Sequence, residues 1–192
     1  GDEYVELEQQ QSQSQQSDKS KPTAPSLTEK KINIKVTRTD VIGETSRIKI
    51  ENKNLIGSIA LTGGLIDDIT LKNYNLEQNK NDKKIVLLNP KKIDQSYYLE
   101  TGWETSGNEI VPDNQTQWTV KGNKILSPNN PVELEWNNGK GLTFLKKFII
   151  DDEYLITIKE EIKNSSNQTI NLFHYAQITR KKKPDVQNFY IL

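Results

Sequence analysis

The chain has no cysteine and no methionine among its 192 residues, and only one histidine. Without cysteine there can be no disulfide, zinc–cysteine site, iron–sulfur cluster or thiol catalysis. One histidine cannot build the usual multi-histidine metal site. An excess of one charge is also missing: 26 Lys and Arg balance 26 Asp and Glu, whereas nucleic-acid binders carry a basic surplus. No run approaches the roughly 18 apolar residues of a membrane span. Hydrophobic residues make up only 33% of the chain. That is low for a globular domain, so part of the chain is expected outside any core. From the lack of methionine we expect Gly1 to be a processed or excised end, with any anchoring segment of a parent protein elsewhere.

Two regions of different composition follow. In residues 1–30, Gln9, Gln10, Gln11, Gln13, Gln15 and Gln16 mix with Ser12, Ser14 and Ser17, and Lys21-Pro22-Thr23-Ala24-Pro25 comes after. Little there is apolar enough to offset the entropy of ordering, so this stretch is expected to be a disordered tether. As a flexible coil, about 25 residues span roughly 25–30 Å. An expression scar with a frayed terminus is the bland alternative. Residues 31–192 carry the folded domain.

In that second region the apolar residues recur with period two. Ile32, Ile34 and Val36 alternate with polar residues, as do Ile48 and Ile50, Ile69 and Leu71, Trp118 and Val120, and Val132, Leu134 and Trp136. Leu55, Ile59 and Leu61 share a phase broken by Gly57; Tyr154, Ile156 and Ile158 form another run, and Ile170 and Leu172 flank Asn171. Such runs predict short strands with one face toward a core. Asn52-Lys53-Asn54, Gly63-Gly64, Asn137-Asn138-Gly139, Asp151-Asp152 and Asn164-Ser165-Ser166-Asn167 separate them, with residues that tolerate tight turns. No helical stripe persists for three turns. The expected fold is an all-β, twisted antiparallel sandwich. Around Leu65-Ile66-Asp67-Asp68-Ile69 the phase slips, which predicts a β-bulge. The apolar end Phe189-Tyr190-Ile191-Leu192 reads as a cut inside the domain.

Each candidate for chemistry has a structural alternative. Asp67-Asp68 and Asp151-Asp152 are adjacent, so on a strand their side chains diverge; turn chemistry with local amides is the expected role. Glu133 and Glu135 share the polar side of a strand and read as solvated charge. His174, in Leu172-Phe173-His174-Tyr175-Ala176, is a conceivable general base. No nucleophile elbow accompanies it, and a packed or hydrogen-bonded strand histidine is expected. Trp118 and Trp136 are in phase with core residues, whereas Trp103, Tyr97 and Tyr98 are less constrained and suit a sugar platform. Arg180-Lys181-Lys182-Lys183-Pro184 is a cationic cluster, either a solvated loop or a contact for anionic lipid or an acidic partner. Asn114-Gln115-Thr116, Asn164-Ser165-Ser166 and Asn167-Gln168-Thr169 match the glycosylation pattern, which carries little information in so Asn-rich a chain. Gly63-Gly64 has no following helix and so cradles no phosphate. The residues assign no catalytic, cofactor or metal site.

More specific is the segment Gly57-Ser58-Ile59-Ala60-Leu61-Thr62-Gly63-Gly64-Leu65-Ile66-Asp67-Asp68-Ile69-Thr70-Leu71, which continues into Lys72-Asn73-Tyr74. After it come Gln117-Trp118, then Pro131-Val132-Glu133-Leu134-Glu135-Trp136-Asn137-Asn138-Gly139-Lys140-Gly141-Leu142-Thr143-Phe144. Asp151-Asp152-Glu153-Tyr154, Ile162-Lys163-Asn164, Arg180 and Pro184 complete the series. In order and spacing these resemble the large periplasmic domain of YidC-type membrane protein insertases over residues 46–192. The resemblance implies a galactose-mutarotase-like supersandwich, truncated here at its C-terminus, with residues 1–30 following a membrane helix. It implies an accessory, non-enzymatic interaction module with no cofactor, held in the periplasm by an inner-membrane protein. The implied partners are the Sec translocon subunits SecD and SecF and nascent membrane proteins. A carbohydrate-binding or aldose-epimerase-like sandwich is the alternative, and the lone His174 does not supply the paired His and Glu of a mutarotase.

Overall fold

The computed structural model describes residues 36–75 and 83–182. The expected tether, most of the Ile32–Ile34–Val36 run, and the segment 183–192 lie outside the described residues. Val36 itself is described and belongs to no strand. Among the described residues there is one short helix, α1 (Arg38–Gly43), and eleven strands. They are β1 (Arg47–Glu51), β2 (Leu55–Ala60), β3 (Leu65–Asn75), β4 (Lys84–Leu88), β5 (Tyr97–Thr105) and β6 (Thr119–Lys121). Then follow β7 (Ile125–Leu126), β8 (Val132–Asn137), β9 (Leu142–Ile150), β10 (Ile156–Asn164) and β11 (Leu172–Arg180). The all-β expectation holds.

Two sheets form the sandwich. The larger has the order β11-β5-β3-β2-β1-β7, with β4 also paired to β3; the smaller runs β10-β9-β8-β6. Pairing is antiparallel except between β1 and β7, which run parallel through Lys49↔Ile125 and Ile50↔Leu126. The link from β1 to β7 is a long crossover, which leaves the direction free, whereas a hairpin forces opposite directions.

Apolar side chains from both sheets meet between them. Ile50, Ile59, Leu126, Val132, Leu134, Phe144 and Phe148 are fully buried. Each such side chain removed from water contributes about 1.5–3 kcal/mol, which supplies the main force holding the layers together. The turn at Asn52 joins the layers at one end. Its Nδ2 donates to the Asp151 and Glu153 carbonyls at 2.8 and 2.9 Å.

The predicted bulge is present. Ser58 faces Asp68 but Ile59 faces Ile66, which leaves Asp67 as the extra residue on β3. Gly57 is required beside it, because a Cβ there would lie 1.9 Å from the Asp68 carbonyl oxygen. β3 then shares its far edge between two partners. It meets β5 at Ile66↔Leu99 and β4 from Ile69 onward.

Candidate functional site

The most strongly assembled polar group in the interior grows out of that divided edge. β5 pairs with β3 at Ile66↔Leu99, and beyond that point the carbonyls of Gly64 and Thr101 face a gap. Lys146 reaches across from the smaller sheet. Its Nζ donates to Gly64 O at 3.2 Å and Thr101 O at 2.9 Å. Glu160 stands directly opposite Lys146 in the β9–β10 register, with Oε1 at 2.9 Å from Nζ. The same oxygen accepts from Thr101 Oγ1 at 2.6 Å. The other carboxylate oxygen lies 2.6 Å from His174 Nε2 on β11, a close contact without hydrogen-bond geometry. One carboxylate thus links β9, β5 and β11.

Both charged partners are almost wholly shielded, at 3% and 5% side-chain exposure. Burial pushes the Lys146 ammonium below its ordinary range, and the Glu160 charge opposes that fall. Trp118 completes one wall. Its ring centre is 5.2 Å from the Lys146 ammonium, and among the described residues its buried Nε1 has no hydrogen-bond partner. Gly64, at φ +60°, leaves room for this indole; a Cβ would sit 2.8 Å from Nε1. The cavity lined by Gly63, Trp103, Asn114, Trp118, Lys146 and Tyr175 measures about 20 Å³. That is room for about one water, against the roughly 300–1,000 Å³ of ordinary ligand pockets.

Period-two reading contained an unused signal for this cluster. Lys146 occupies the inward phase of Leu142, Phe144, Phe148 and Ile150, and Glu160 that of Ile156, Ile158 and Ile162. A charge on the core phase of each of two neighbouring strands marks a buried pair. His174 behaves as expected of a packed strand histidine and sits edge-on against Trp103, ring centres 4.9 Å apart. Trp103 leans on the core, and is not an exposed platform. Trp118 and Trp136 pack against the core as expected. Glu133 and Glu135 lie on the side of β8 away from Val132 and Leu134, and Glu135 pairs with Lys121 at 3.0 Å.

The aspartate pairs divide. Asp151 does turn work, as expected: its Oδ1 accepts from the amides of Glu153 and Leu155, both at 2.9 Å. Asp67-Asp68 does not, and the turn reading is corrected. Both lie inside β3 and are buried. Arg47 pairs with Asp67 and Arg38 with Asp68. Ser58 Oγ joins the two pairs, accepting from Arg47 Nε at 2.7 Å and donating to Asp68 Oδ2 at 2.5 Å. The bulge is the reason: it breaks the alternation that would have sent neighbouring carboxylates to opposite faces. Burial raises the Asp67 carboxyl above its usual range despite the guanidinium of Arg47. A capping box on α1, with Thr37 and Asp40 bonding each other's backbone, holds Arg38 over this network.

Chemically, a histidine beside a carboxylate is a possible general-base pair. Here the carboxylate is already committed to Lys146 and Thr101, and the space beside it admits a water. Among the described residues no three His, Asp or Glu side chains converge as a metal site would require, and no helix is long and apolar enough to cross a membrane.

Comparison with known proteins adds the following. The family described as YidC periplasmic domain matches residues 47–192. The "Membrane protein insertase YidC" of Pelagibacter ubique is 44% identical over 169 residues, covering 88% of this chain and 30% of that protein. Proteins of the same name from Methylobacterium radiotolerans and Mesorhizobium japonicum are each 40% identical, over 82% and 81% of this chain. The chain spans less than a third of the length of these relatives.

Proposed function

Because the chain belongs to the family of YidC periplasmic domains, we propose that it is the accessory module of an inner-membrane insertase that inserts and helps fold integral membrane proteins, alone or with the Sec translocon. In this reading residues 1–30 tether the module to a preceding membrane helix. Residues 31–192 form the N-terminal part of its periplasmic sandwich. Its contribution is contact and not bond-making. The supporting observation is that Lys146, Glu160 and Thr101 are consumed in joining the two sheets, beside a cavity of about 20 Å³.

The contact surface in this reading is the margin formed by β10 and β11. Among the described residues each is the last strand of its sheet, and β11 exposes Phe173 and Ile178 at 59% and 66%. A free strand edge with apolar neighbours can receive an extended segment by strand addition. SecD, SecF and nascent membrane proteins are the partners proposed. The test uses the full-length insertase carrying Phe173→Glu. We expect recovery of SecD and SecF from solubilised membranes to fall while the domain's thermal transition stays in place. Unchanged recovery overturns the assignment of this edge.

The His174–Glu160 contact favours one second reading, an aldose-epimerase-like or carbohydrate-binding sandwich. Mutarotation and glycan binding assayed at millimolar sugar decide it. The module reading expects neither, and a rate abolished by Glu160→Gln would overturn it.

A further inference from the structure

We propose that the tip of the sandwich where β11 ends against the β4–β5 loop is a contact surface for anionic phospholipid headgroups. Arg180, Lys181 and Lys182 follow one another in exposed positions. The strand end is pinned, since the Lys181 amide donates to Ser96 O at 3.0 Å. This brings the three cations to a loop that carries Lys91 and Lys92. Among the described residues the local carboxylates are fewer. Glu100 on β5 is held by Lys91 at 2.7 Å and Glu44 after α1 by Lys92, and the loop itself carries one acid, Asp94. Among the described residues Lys181 and Lys182 have no carboxylate within ion-pair distance.

The aromatic content singles out a lipid surface. Tyr97 lies under the Arg180 guanidinium and Tyr98 under the Lys91 ammonium, each 4.8 Å from ring centre to charge. Tyrosine beside lysine and arginine is the pairing favoured at a membrane–water interface, where the ring sits at headgroup depth. Ile178 is two positions before Arg180, hence on the same side of the strand, and is exposed. It can enter the apolar boundary while the cations stay with phosphates. Lysines are point charges on flexible stems, suited to mobile headgroups and not to a fixed bidentate acceptor. The balanced charge of the whole chain argues against nucleic acid as the source of phosphate. The inference rests on the proposed function only in placing the chain beside a bilayer.

The experiment is sedimentation of the 192-residue chain with vesicles of phosphatidylcholine alone or phosphatidylcholine doped with phosphatidylglycerol. We expect binding to the doped vesicles and its loss at high salt. Near an anionic surface each cation strengthens binding roughly fivefold, so Lys181→Gln/Lys182→Gln should weaken it about 25-fold. The control Lys124→Gln/Lys140→Gln, elsewhere on the domain, should change it less than twofold. Thermal melts of both variants should match the parent. No binding to doped vesicles, equal loss in the control, or tighter binding to soluble polyglutamate than to doped vesicles would each overturn the lipid surface. Those outcomes leave the SecD and SecF recovery test untouched.

Discussion

The two margins of the sandwich are joined by different physics. On the side of β1, β2 and β8 the layers meet through aliphatic and aromatic side chains with no exposure at all, among them Ile50, Ile59, Val132 and Leu134. On the side of β10 and β11 the apolar residues are only partly covered or stand in solvent, and a charged staple of Lys146, Glu160, Thr101 and His174 makes the connection. The first arrangement is non-directional and tolerates adjustment. The second demands that every member be present, because a buried charge without its partner costs far more than the pair gains. One margin is sealed and the other is gated by specific bonds, which is why we place the contact surface on the second.

The largest effects should come from breaking each margin at its centre. Phe144→Ala removes a fully buried ring from the central strand of the smaller sheet and should cost about 3–5 kcal/mol in urea unfolding. Lys146→Ala should cost about 3–5 kcal/mol as well, by a different route. It strands the Glu160 charge and leaves the Gly64 and Thr101 carbonyls without their donor. The double variant Lys146→Met/Glu160→Leu separates the two routes. If the staple is a matched pair, the double variant recovers most of the loss. If it is no better than either single variant, something other than the pair holds this margin.

The same lysine makes the contrast visible in pH. Its pKa in the folded protein is lowered from 10.5, with burial the largest cause. The unfolded chain therefore binds this proton more tightly than the folded one. The resulting penalty is complete below the lowered value and vanishes above 10.5, so stability rises with pH through that window. Urea midpoints across the alkaline range, taken relative to Lys146→Met, should climb with pH. Parallel curves would show that the ammonium is not buried in solution.

A smaller effect is expected at the rim of the gap that Lys146 fills. Gly64→Ala meets both a positive φ and the Trp118 indole, and a non-glycine residue in that region costs about 1–3 kcal/mol. Near-ultraviolet circular dichroism of the tryptophans should change along with the melting temperature. A variant with the parent's spectrum would mean that Trp118 does not abut this turn.

How much of this was legible in the sequence follows the same division. β1, β2, β3, β6 and β8 sit where the alternation of Ile48, Leu55, Ile69, Val120 and Leu134 placed them, and β1, β6 and β8 each turn one apolar face inward and one polar face outward. β9 was not legible: Leu142-Thr143-Phe144-Leu145-Lys146-Lys147-Phe148-Ile149-Ile150 is apolar in both phases, with a charge in the buried one. β5 was obscured by Glu100 and Gly102, whereas the start of β11 was legible from Leu172 and from His174 read as a strand histidine. β4 is an exposed edge, and α1 is too short to show a period. At Asp67-Asp68 the bulge was readable but its consequence was not. The bulge brings both carboxylates into one network with Arg38 and Arg47, and those arginines lie about twenty and thirty residues away in sequence. Long-range pairing of that kind leaves no local periodicity to detect.

The smallest effect belongs to the open margin itself, and there the absence of an effect is informative. Phe173 is exposed on β11, across the strand pair from Glu104. Phe173→Ala should alter stability by no more than about 0.5 kcal/mol, against the several expected for Phe144→Ala. Two phenylalanines of identical chemistry then differ only in what their strands face. If removing the Phe173 ring cost as much as a core substitution, the side chain would be covered in solution, by another part of the chain or by a second copy. Concentration-dependent sedimentation of the same variant would tell these apart. A loss that vanishes on dilution assigns the cover to a second copy, and one that persists assigns it to the chain. Either result would move the contact surface off this face of β11.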